Sequence, residues 1–438
     1  MTYIKLRMSA QDIISTGHRC HHSVLLYSPE GRWLNPENNR ADSREAWFFT
    51  LPQQHIKADC LDELLSLIRE IRHSQPAQNE NGTPFTDLCS GWAGYFSYEA
   101  GCALHRLPHS GVLAEFAWYP VVIHLDLHSG LATARFSENI GADRQRQWLD
   151  EVYAQFTLPD APLPPAHTVP WQRHWDDQQY HAKLQRVFNY LQSGDAYQVN
   201  LAMPFTTPQD LRARSPLPLL KQMNPAFGGY LNMAGRSIFC ASPERFIGFR
   251  QGKMITQPIK GTSPRGDTPQ QDQQNRQWLA DSLKNRAENL MIVDLLRNDL
   301  SMLARPHSVK AEKLFDIESH QNVHHMVSTI TAELRSGVHP ADVMQAALPG
   351  GSITGAPKQR AMEIIQELEL QPRGAYCGSM GVFGDNGVSD FNILIRSIDA
   401  SAAGATCWAG GGIVMDSQSD EELAELNTKV RRILGCPL

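Results

Sequence analysis

Apolar side chains recur every three or four residues in several stretches of the chain, which is the spacing of one face of a helix. The stretches with this spacing are 60–71, 180–193, 270–297, 358–368 and 421–434. In the second of them, Gly194 follows the last apolar residue, where a glycine commonly ends a helix. The pattern predicts a helix in each stretch, and the third of these helices is long.

Shorter apolar runs bounded by turn residues predict strands. These runs are 23–27, 118–127, 198–205, 237–240, 247–249 and 254–257. The predicted strands come in groups and do not alternate strictly with the helices. This order favours an α+β fold over a doubly wound α/β sheet.

Residues 158–170 are rich in proline, which predicts a semi-rigid connector. The connector separates an N-terminal region, residues 1–157, which has few motifs, from residues 171–438, which have many. The sequence leaves two alternatives open. The regions are either separable domains or parts of one compact body that the connector crosses.

The composition is that of an ordinary globular protein, with 438 residues, 42% of them hydrophobic, and a net charge of −6 at pH 7. No basic run suits a phosphodiester backbone, so we do not expect a nucleic-acid partner. The eight cysteines show neither a disulfide framework nor a zinc spacing. No signal peptide and no apolar stretch of membrane length is visible. We therefore expect a cytoplasmic protein without a membrane partner.

A glycine-rich turn runs from Pro349 to Lys358 and leads into a predicted helix. Glycines allow close approach to a ligand, and a helix start offers free N–H groups, so the turn suits an anion. Ala-Pro-Lys follows Gly355 where a phosphate loop needs Lys-Ser or Lys-Thr, so a nucleoside triphosphate is disfavoured. A carboxylate ligand fits the turn, and a helix-capping turn without a ligand is the alternative.

Three glutamates form a candidate magnesium site. Glu422 and Glu425 lie on one face of the last predicted helix, and Glu288 lies on the long one. Mg²⁺ takes a few carboxylates and leaves its other positions to water or substrate. Ordinary alternatives exist: Ser419 and Glu422 have the spacing of a capping box, and Glu425 has that of an ion pair with Lys429. Three glycines before this helix, 410–412, favour close approach of a ligand.

Glu244 and Lys260 each follow a proline-containing turn beside a predicted strand. A lysine can act as a nucleophile only when its amine is neutral, and this requires desolvation or a nearby cation. A protonated carboxyl can supply a proton to a departing hydroxyl. Taken alone, each residue is more often an ordinary surface charge.

Taken together, these segments resemble the chorismate-utilising enzymes, which include anthranilate, isochorismate, salicylate and aminodeoxychorismate synthases. The matching segments, in family order from residue 180 to the end, are ASPERF, QPIKGT, RAENLMIVDLLRNDL, VHHMVSTI, PGGSITGAPK, YCGSMGVF, NILIRSI and AGGGIVMDS. Anthranilate and isochorismate synthases usually carry alanine where this chain has Lys260, and a lysine there is similar to aminodeoxychorismate synthase. The resemblance implies a large antiparallel β-sandwich of two subdomains flanked by helices, with an anthranilate-synthase-like N-terminal region and a chorismate-binding catalytic region.

The resemblance also implies a role for each site residue. Lys260 would be the nucleophile and Glu244 the acid, while Glu288 and Glu425 would bind Mg²⁺ with support from Glu422. The implied substrate contacts are Thr262, His325, Ser352, Thr354, Lys358, Tyr376, Arg396, Gly411 and Gly412. Asn285 stands where many relatives have an acidic residue, so we expect weaker support of the metal and no loss of it.

The implied reaction is amination of chorismate to 4-amino-4-deoxychorismate, for 4-aminobenzoate and folate biosynthesis. The sequence shows no glutaminase motif, so ammonia would come from a partner glutamine amidotransferase subunit or from solution. Relatives often bind tryptophan in the N-terminal half, and residues 23–28 and 224–227 fit such a site loosely. Anthranilate synthase component I is the nearest alternative, and a non-catalytic binding protein is another.

Overall fold

The computed structural model describes residues 1–35, 44–73, 87–157, 169–321 and 323–435. The strands are Thr2–Lys5 (β1), Ser23–Ser28 (β2), Glu45–Phe49 (β3), Gln54–Ala58 (β4), Gly91–Phe96 (β5), Ala114–Tyr119 (β6), Val121–Asp126 (β7), Ala132–Phe136 (β8), Gln172–Arg173 (β9), Gln198–Thr207 (β10), Phe227–Met233 (β11), Arg236–Ser242 (β12), Arg245–Arg250 (β13), Lys253–Gln257 (β14), Ile259–Pro264 (β15), Lys310–Ser319 (β16), Val323–Glu333 (β17), Gly355–Ala356 (β18), Ser379–Gly384 (β19), Ser389–Asn392 (β20), Ser397–Ser401 (β21) and Gly404–Ile413 (β22). The helices are Ala10–Thr16 (α1), Leu61–His73 (α2), Tyr98–Leu104 (α3), Ala142–Phe156 (α4), Asp177–Gln192 (α5), Leu217–Met223 (α6), Pro269–Asp281 (α7), Leu283–Ser301 (α8), Pro340–Ala347 (α9), Lys358–Glu369 (α10) and Ser419–Leu434 (α11).

Two antiparallel sheets form the centre of the protein. The first has 12 strands in the order β1-β8-β7-β3-β2-β11-β12-β21-β22-β10-β18, with β9 also paired to β10. The second has 10 strands in the order β15-β17-β14-β13-β20-β19-β5-β6-β4, with β16 also paired to β17. The predicted α+β class and antiparallel sandwich are confirmed.

Both faces of the central strands are buried, as β2 illustrates. Side chains alternate between the faces of a strand. Val24 and Leu26 therefore join one hydrophobic cluster, which also contains residues of the second sheet such as Tyr95. Leu25 and Tyr27 join the other, larger cluster. This double burial explains why β2 reads as a continuous apolar run rather than an alternating one.

The two predicted regions contribute strands to both sheets. In the first sheet, β2 of the N-terminal region pairs with β11, and in the second, β5 pairs with β19. Of the predicted connector, residues 158–168 lie outside the described residues. Separating the two regions would therefore cost β2 and β5 one of their two neighbouring strands each.

The predicted helices are found in their places, with one correction. The pattern over 270–297 was interpreted as one helix, but the structure has two, α7 and α8. They are divided at Ser282, whose backbone is extended (ψ 106°) and whose side chain accepts a hydrogen bond from the N–H of Asn285. Serine favours such N-caps, because its short side chain can satisfy a free N–H group at a helix start.

The predicted strand over 118–127 is likewise two strands, β6 and β7, which are separated at Pro120. Proline cannot donate a ladder hydrogen bond, so it interrupts a strand. Within the described ranges, none of the helices combines the length and apolar character that crossing a membrane requires.

A buried ion pair joins the second sheet to the N-terminal region. Arg245 donates two hydrogen bonds of 3.0 Å to Asp390, and both side chains are 1% exposed. Arg245 also donates to Gln257 and to the carbonyl of Arg32, while the N–H of Leu34 donates to Asp390 at 2.8 Å. The pair therefore fixes the start of β13, the end of β14 and the segment 32–34 relative to one another.

We expect Arg245→Met to lower the free energy of unfolding by about 3–5 kcal/mol, because it leaves the Asp390 carboxylate buried without its counter-charge. Urea denaturation measures the change. Arg305→Met serves as the control, since Arg305 and Glu333 form an ion pair with side chains 65% and 44% exposed. Such a pair contributes less than about 1 kcal/mol. Equal losses in the two variants would contradict the assigned role of the buried pair.

Candidate active site

Ser352 brings Glu244 and Lys260 together. Its hydroxyl donates to Glu244 Oε1 at 2.8 Å, and its carbonyl accepts from Lys260 Nζ at 3.0 Å. Glu244 lies between β12 and β13, Lys260 is the second residue of β15, and Ser352 lies in the 3₁₀ turn Gly351–Ile353. The structure thus joins the predicted catalytic pair through one residue of the predicted anion-binding turn.

Burial moves the pKa values of this pair towards each other. Glu244 is 6% exposed, and its burial raises its pKa against the opposing effects of Lys260 and the Ser352 hydrogen bond. Burial lowers the pKa of Lys260, although Glu244 and Glu288 act in the opposite direction. Desolvation penalises both charged forms, so a neutral amine beside a protonated carboxyl becomes accessible. These are the forms that a nucleophile and a proton donor require.

A pocket is lined in part by Pro243, the residue before Glu244. His325 of β17 lines it, and the partner of His325 across the sheet is Thr262 of β15. His325 is 4% exposed, its Nδ1 has no hydrogen-bond partner among the described residues, and burial lowers its pKa to about 3. Its imidazole is therefore neutral near pH 7.

Two arginines give this pocket its positive charge. Arg396 and Arg432 line it together with His320, and residues 223–226 form another part of the wall. Burial, and then the charge of Arg432, lowers the pKa of Arg396 to about 10. Arg396 also has a φ of 53°, a left-handed conformation that is uncommon for residues other than glycine. A crowded, strained cation of this kind suits an anionic ligand.

The glycines 410–412 lie in β22, where it pairs with β10. A Cβ atom on Gly412 would be 3.0 Å from the Gln198 side chain, and one on Gly411 would be 3.2 Å from Glu422 Oε2. Larger residues would therefore displace these groups. Gln198 is 1% exposed, and its Nε2 donates to no partner in the described part of the chain. The strand offers a ligand this amide beside the open backbone of the glycines.

The three glutamates influence one another electrostatically. Burial raises the pKa of Glu288, with a further contribution from Glu422 and Glu425. Burial also raises the pKa of Glu422, whereas the charge of Lys429 lowers that of Glu425. The predicted ion pair of Glu425 with Lys429 is confirmed at 2.7 Å.

The predicted capping box is wrong. The N-cap of α11 is Gln418, and no side chain of the described residues caps this helix. Glu422 instead accepts a hydrogen bond of 2.7 Å from the Ser417 hydroxyl, outside the helix. Ser419 is the first residue of the helix and not its N-cap, so its side chain is not placed to cap the helix.

The carboxylates suit a divalent cation chemically, because hard oxygen donors are the ligands that Mg²⁺ prefers and a cation would relieve their mutual repulsion. However, no three His, Cys, Asp or Glu side chains within the described ranges are close enough to hold a metal ion. Glu425 is 58% exposed and engaged with Lys429. Binding would therefore require this ion pair to open and the glutamates to move together.

Several predicted contacts have partners inside the protein. Lys358 forms an ion pair of 2.8 Å with Asp299, with the side chains 10% and 5% exposed, so most of its charge is neutralised there. The Thr354 hydroxyl donates to the carbonyl of Gly350 at 3.1 Å. Tyr376 is 6% exposed and its ring stacks on Trp408. Lys358 and Thr354 therefore support the turn and α10 directly.

The sequence interpretation missed three residues around the site. Gln198 begins the predicted strand 198–205 but was given no role, and Arg432 was not considered. Lys429 was interpreted only as an ion-pair partner. Its Nζ also donates to the carbonyl of Gly410 at 3.1 Å, which ties α11 to the glycine strand.

The two segments predicted for tryptophan binding are adjacent, since β2 pairs with β11. Trp33 packs in the same hydrophobic cluster as Val24, Leu26 and Phe227, and its indole N–H donates to the carbonyl of Gly228 at 2.9 Å. An indole of the chain itself therefore lies against both segments. Tryptophan as a bound ligand stays a prediction.

Comparison with known proteins places this site in a family. Residues 30–435 match the family described as chorismate binding enzyme. Aminodeoxychorismate synthase component 1 of Salmonella typhimurium is 41% identical over 83% of this chain and 78% of its own length. The protein of the same name from Escherichia coli is also 41% identical, over 85% of this chain and 81% of its own length.

The fold is similar to that of anthranilate synthase component I from Streptococcus pneumoniae. That crystal structure superimposes with a TM-score of 0.76 at 22% identity and covers 90% of this chain and 92% of its own. At this identity the likeness shows the fold alone. The family match and the relatives at 41% identity extend over most of the sequence. The chain belongs to the chorismate binding enzyme family.

Proposed function

We propose that this chain aminates chorismate to 4-amino-4-deoxychorismate, a precursor of 4-aminobenzoate. The observation that carries the proposal is the contact of both Glu244 and Lys260 with Ser352. An amine and a carboxyl with converging pKa values are the groups that this chemistry needs. The names of the 41% identical relatives support the same activity.

In the first step, the neutral amine of Lys260 attacks the ring carbon next to the carboxylate-bearing carbon. The electron pairs of both conjugated ring double bonds shift along the ring, and the bond from the distant ring carbon to its hydroxyl breaks. Glu244 gives its proton to that hydroxyl, which leaves as water. Burial favours the reactive form of each group, since it disfavours both charges.

In the second step, ammonia adds at the carbon that lost the hydroxyl. The double bonds shift back, and the bond from the ring to Lys260 breaks. The proton that ammonia loses restores the Glu244 carboxyl, so the catalytic pair returns to its initial state. The enolpyruvyl side chain is retained, and the ring does not become aromatic.

The pocket residues would hold the two carboxylates of chorismate. Arg396 and Tyr376 are our candidates for the enolpyruvyl carboxylate, because Arg396 lines the positively charged pocket. The backbone of Gly411 and Gly412, with Thr262, would contact the ring carboxylate. The neutral imidazole of His325 would lie near the ring hydroxyl, where it can donate or accept a hydrogen bond.

We propose Mg²⁺ as the cofactor, held by Glu288 and Glu425 with Glu422 in support. The bound cation would neutralise the ring carboxylate and make the ring a better electrophile. The supporting observation is that, beside burial, the charge of Glu425 helps to raise the pKa of Glu288 and of Glu422, a repulsion that a divalent cation would oppose.

We propose a glutamine amidotransferase subunit as the partner that supplies ammonia. The relatives named component 1 support this, because that name implies a second component. We expect the two subunits to form a transient heterodimer, which associates for the transfer of ammonia.

Incubation of the chain with chorismate, Mg²⁺ and ammonium should give a non-aromatic amino product that a separate lyase converts to 4-aminobenzoate. Liquid chromatography with mass spectrometry identifies the product.

Glu244→Gln should lower kcat by about 100-fold or more, since a carboxamide cannot supply the proton. Lys260→Ala should lose much of the rate but retain some activity, because direct attack by ammonia remains possible.

Fluorescent anthranilate as the product would contradict the proposal and favour anthranilate synthase. Chorismate binding in calorimetry without turnover would favour a binding protein. An unchanged rate in Lys260→Ala would remove the covalent step alone. Glutamine should replace ammonium only after the partner subunit is added.

Glu288→Gln should weaken Mg²⁺ binding by about tenfold or more, because a charged ligand is lost. Isothermal titration calorimetry with MgCl₂ and no chorismate measures this independently of activity. Asp294→Asn is the matched control, since Asp294 lies on the same helix, is 61% exposed and pairs with Arg297. Equal Mg²⁺ affinity of the two variants would contradict the assignment of Glu288.

A further inference from the structure

Arg373 is a buried cation behind the catalytic site, between α10 and β19. It is 2% exposed, and it forms two hydrogen bonds with Glu369, of 2.7 and 2.8 Å. Glu369 is also 2% exposed. A buried ion pair is costly to desolvate, and it contributes less to stability than apolar packing of the same volume. The pair therefore calls for an explanation other than stability.

The first structure that the pair reaches is strand β10. Arg373 Nη2 donates to the carbonyl of Asn200 at 3.0 Å and to its Oδ1 at 3.2 Å. Glu369 Oε1 accepts from the N–H of Ala202 at 2.9 Å. Asn200 stands opposite Gly412 in the ladder of β10 and β22. The pair thus holds β10 at the level of the glycine strand.

The second structure is the glycine-rich turn. Arg373 Nη1 donates to the carbonyl of Ile353 at 3.3 Å, and the N–H of Asn200 donates to the carbonyl of Thr354 at 2.8 Å. Ile353 follows Ser352, which holds Glu244 and Lys260. The Arg373 guanidinium thus bonds both β10 and Ile353, and Ile353 follows the residue that contacts the catalytic pair.

The third structure is the segment that carries Tyr376. The N–H of Tyr376 donates to the carbonyl of Arg373 at 3.2 Å, and the N–H of Arg373 donates to Glu99 Oε1 at 2.8 Å. The guanidinium carbon also lies 5.5 Å from the centre of the Tyr376 ring. Three separate walls of the site therefore meet at Arg373.

We propose that Arg373 is a positioning residue, which sets the place of Ser352 relative to β10 and thereby the geometry of Glu244 and Lys260. The inference rests on the proposed function. The turn depends on Arg373 more than the strands do, because β10 and β22 have a ladder that runs from Val199 to Thr207. The glycine-rich segment, in contrast, contains one 3₁₀ turn, Gly351–Ile353, and the two-residue strand β18. Loss of the guanidinium would therefore displace the catalytic contact before it displaces the substrate-binding strands.

The test uses the double variant Arg373→Met with Glu369→Gln in the full chain. This variant removes both charges of the pair together, so neither is left buried without the other, and it keeps an acceptor for the N–H of Ala202. We expect kcat for chorismate amination to fall about tenfold or more, because small displacements of reacting groups cost large factors in rate. KM for chorismate should stay within about threefold of the wild-type value.

Val152→Ala is the control for stability, since Val152 is a fully buried residue of α4. It should lower the Tm and leave kcat unchanged.

Arg373→Lys is the conservative variant. A single ammonium retains the pairing with Glu369 but cannot bond Asn200 and Ile353 together in the planar geometry of a guanidinium, so kcat should be intermediate.

A kcat of the double variant within about twofold of that of Val152→Ala would overturn the inference. So would a loss of activity that only follows the folded fraction. If the double variant does not fold, Arg373→Lys decides the matter, and wild-type kcat in that variant overturns the inference. Absence of the amino product with the wild-type chain would instead reject the proposed function.

Discussion

The burial of Glu244 and Lys260 around Ser352 is the constraint on which the candidate site depends. Desolvation acts against both charges, and their mutual attraction acts in favour of both. The balance decides whether the pair is ionic or neutral, and only the neutral pair contains a nucleophile and an acid. The surrounding elements hold both residues against Ser352. Ser352 contacts both, and Arg245 ties the strand that follows Glu244 to the end of the strand that precedes Lys260.

The two sheets explain how a chain of this length fixes such a contact. In each sheet a block of strands from the N-terminal region pairs with a block from the C-terminal region, at β2–β11 in the first and β5–β19 in the second. Two buried arginines, Arg245 and Arg373, join elements that are distant in sequence. Each arginine bonds a carboxylate and at least one backbone carbonyl, which a planar guanidinium can do in fixed directions.

Much of the fold could be predicted from local patterns. Helices such as α5, α10 and α11 follow directly from apolar periodicity, because each buries one face. The strand β10 follows from its continuous run of buried residues. The break of α7 and α8 at Ser282 was not predictable from periodicity, since the apolar spacing continues across it. The order of the strands depends on contacts far apart in sequence, and no local pattern contains it. The resemblance to the family supplied the sandwich.

The site shows a similar division. Glu244, Lys260 and Ser352 could be named from their motifs, but their meeting at Ser352 required the folded chain. Lys358 was expected to contact the substrate, yet it forms an ion pair with the buried Asp299, and the sequence could not show which carboxylate would be its neighbour. Arg373 was missed because its partners lie in three different elements. Family likeness identifies residues, whereas the physical role of each depends on what surrounds it.

The ionisation of Lys260 tests the central claim most directly. Heteronuclear NMR of the chain with ¹⁵N-labelled lysine can follow the Lys260 amine as a function of pH, with Lys260→Arg to assign its signal. We predict a pKa below the ordinary lysine value of about 10.4, because burial disfavours the ammonium form. In Glu244→Gln the pKa should fall further, since the carboxylate that favours the ammonium form is lost. A wild-type pKa at or above the ordinary value would contradict the account.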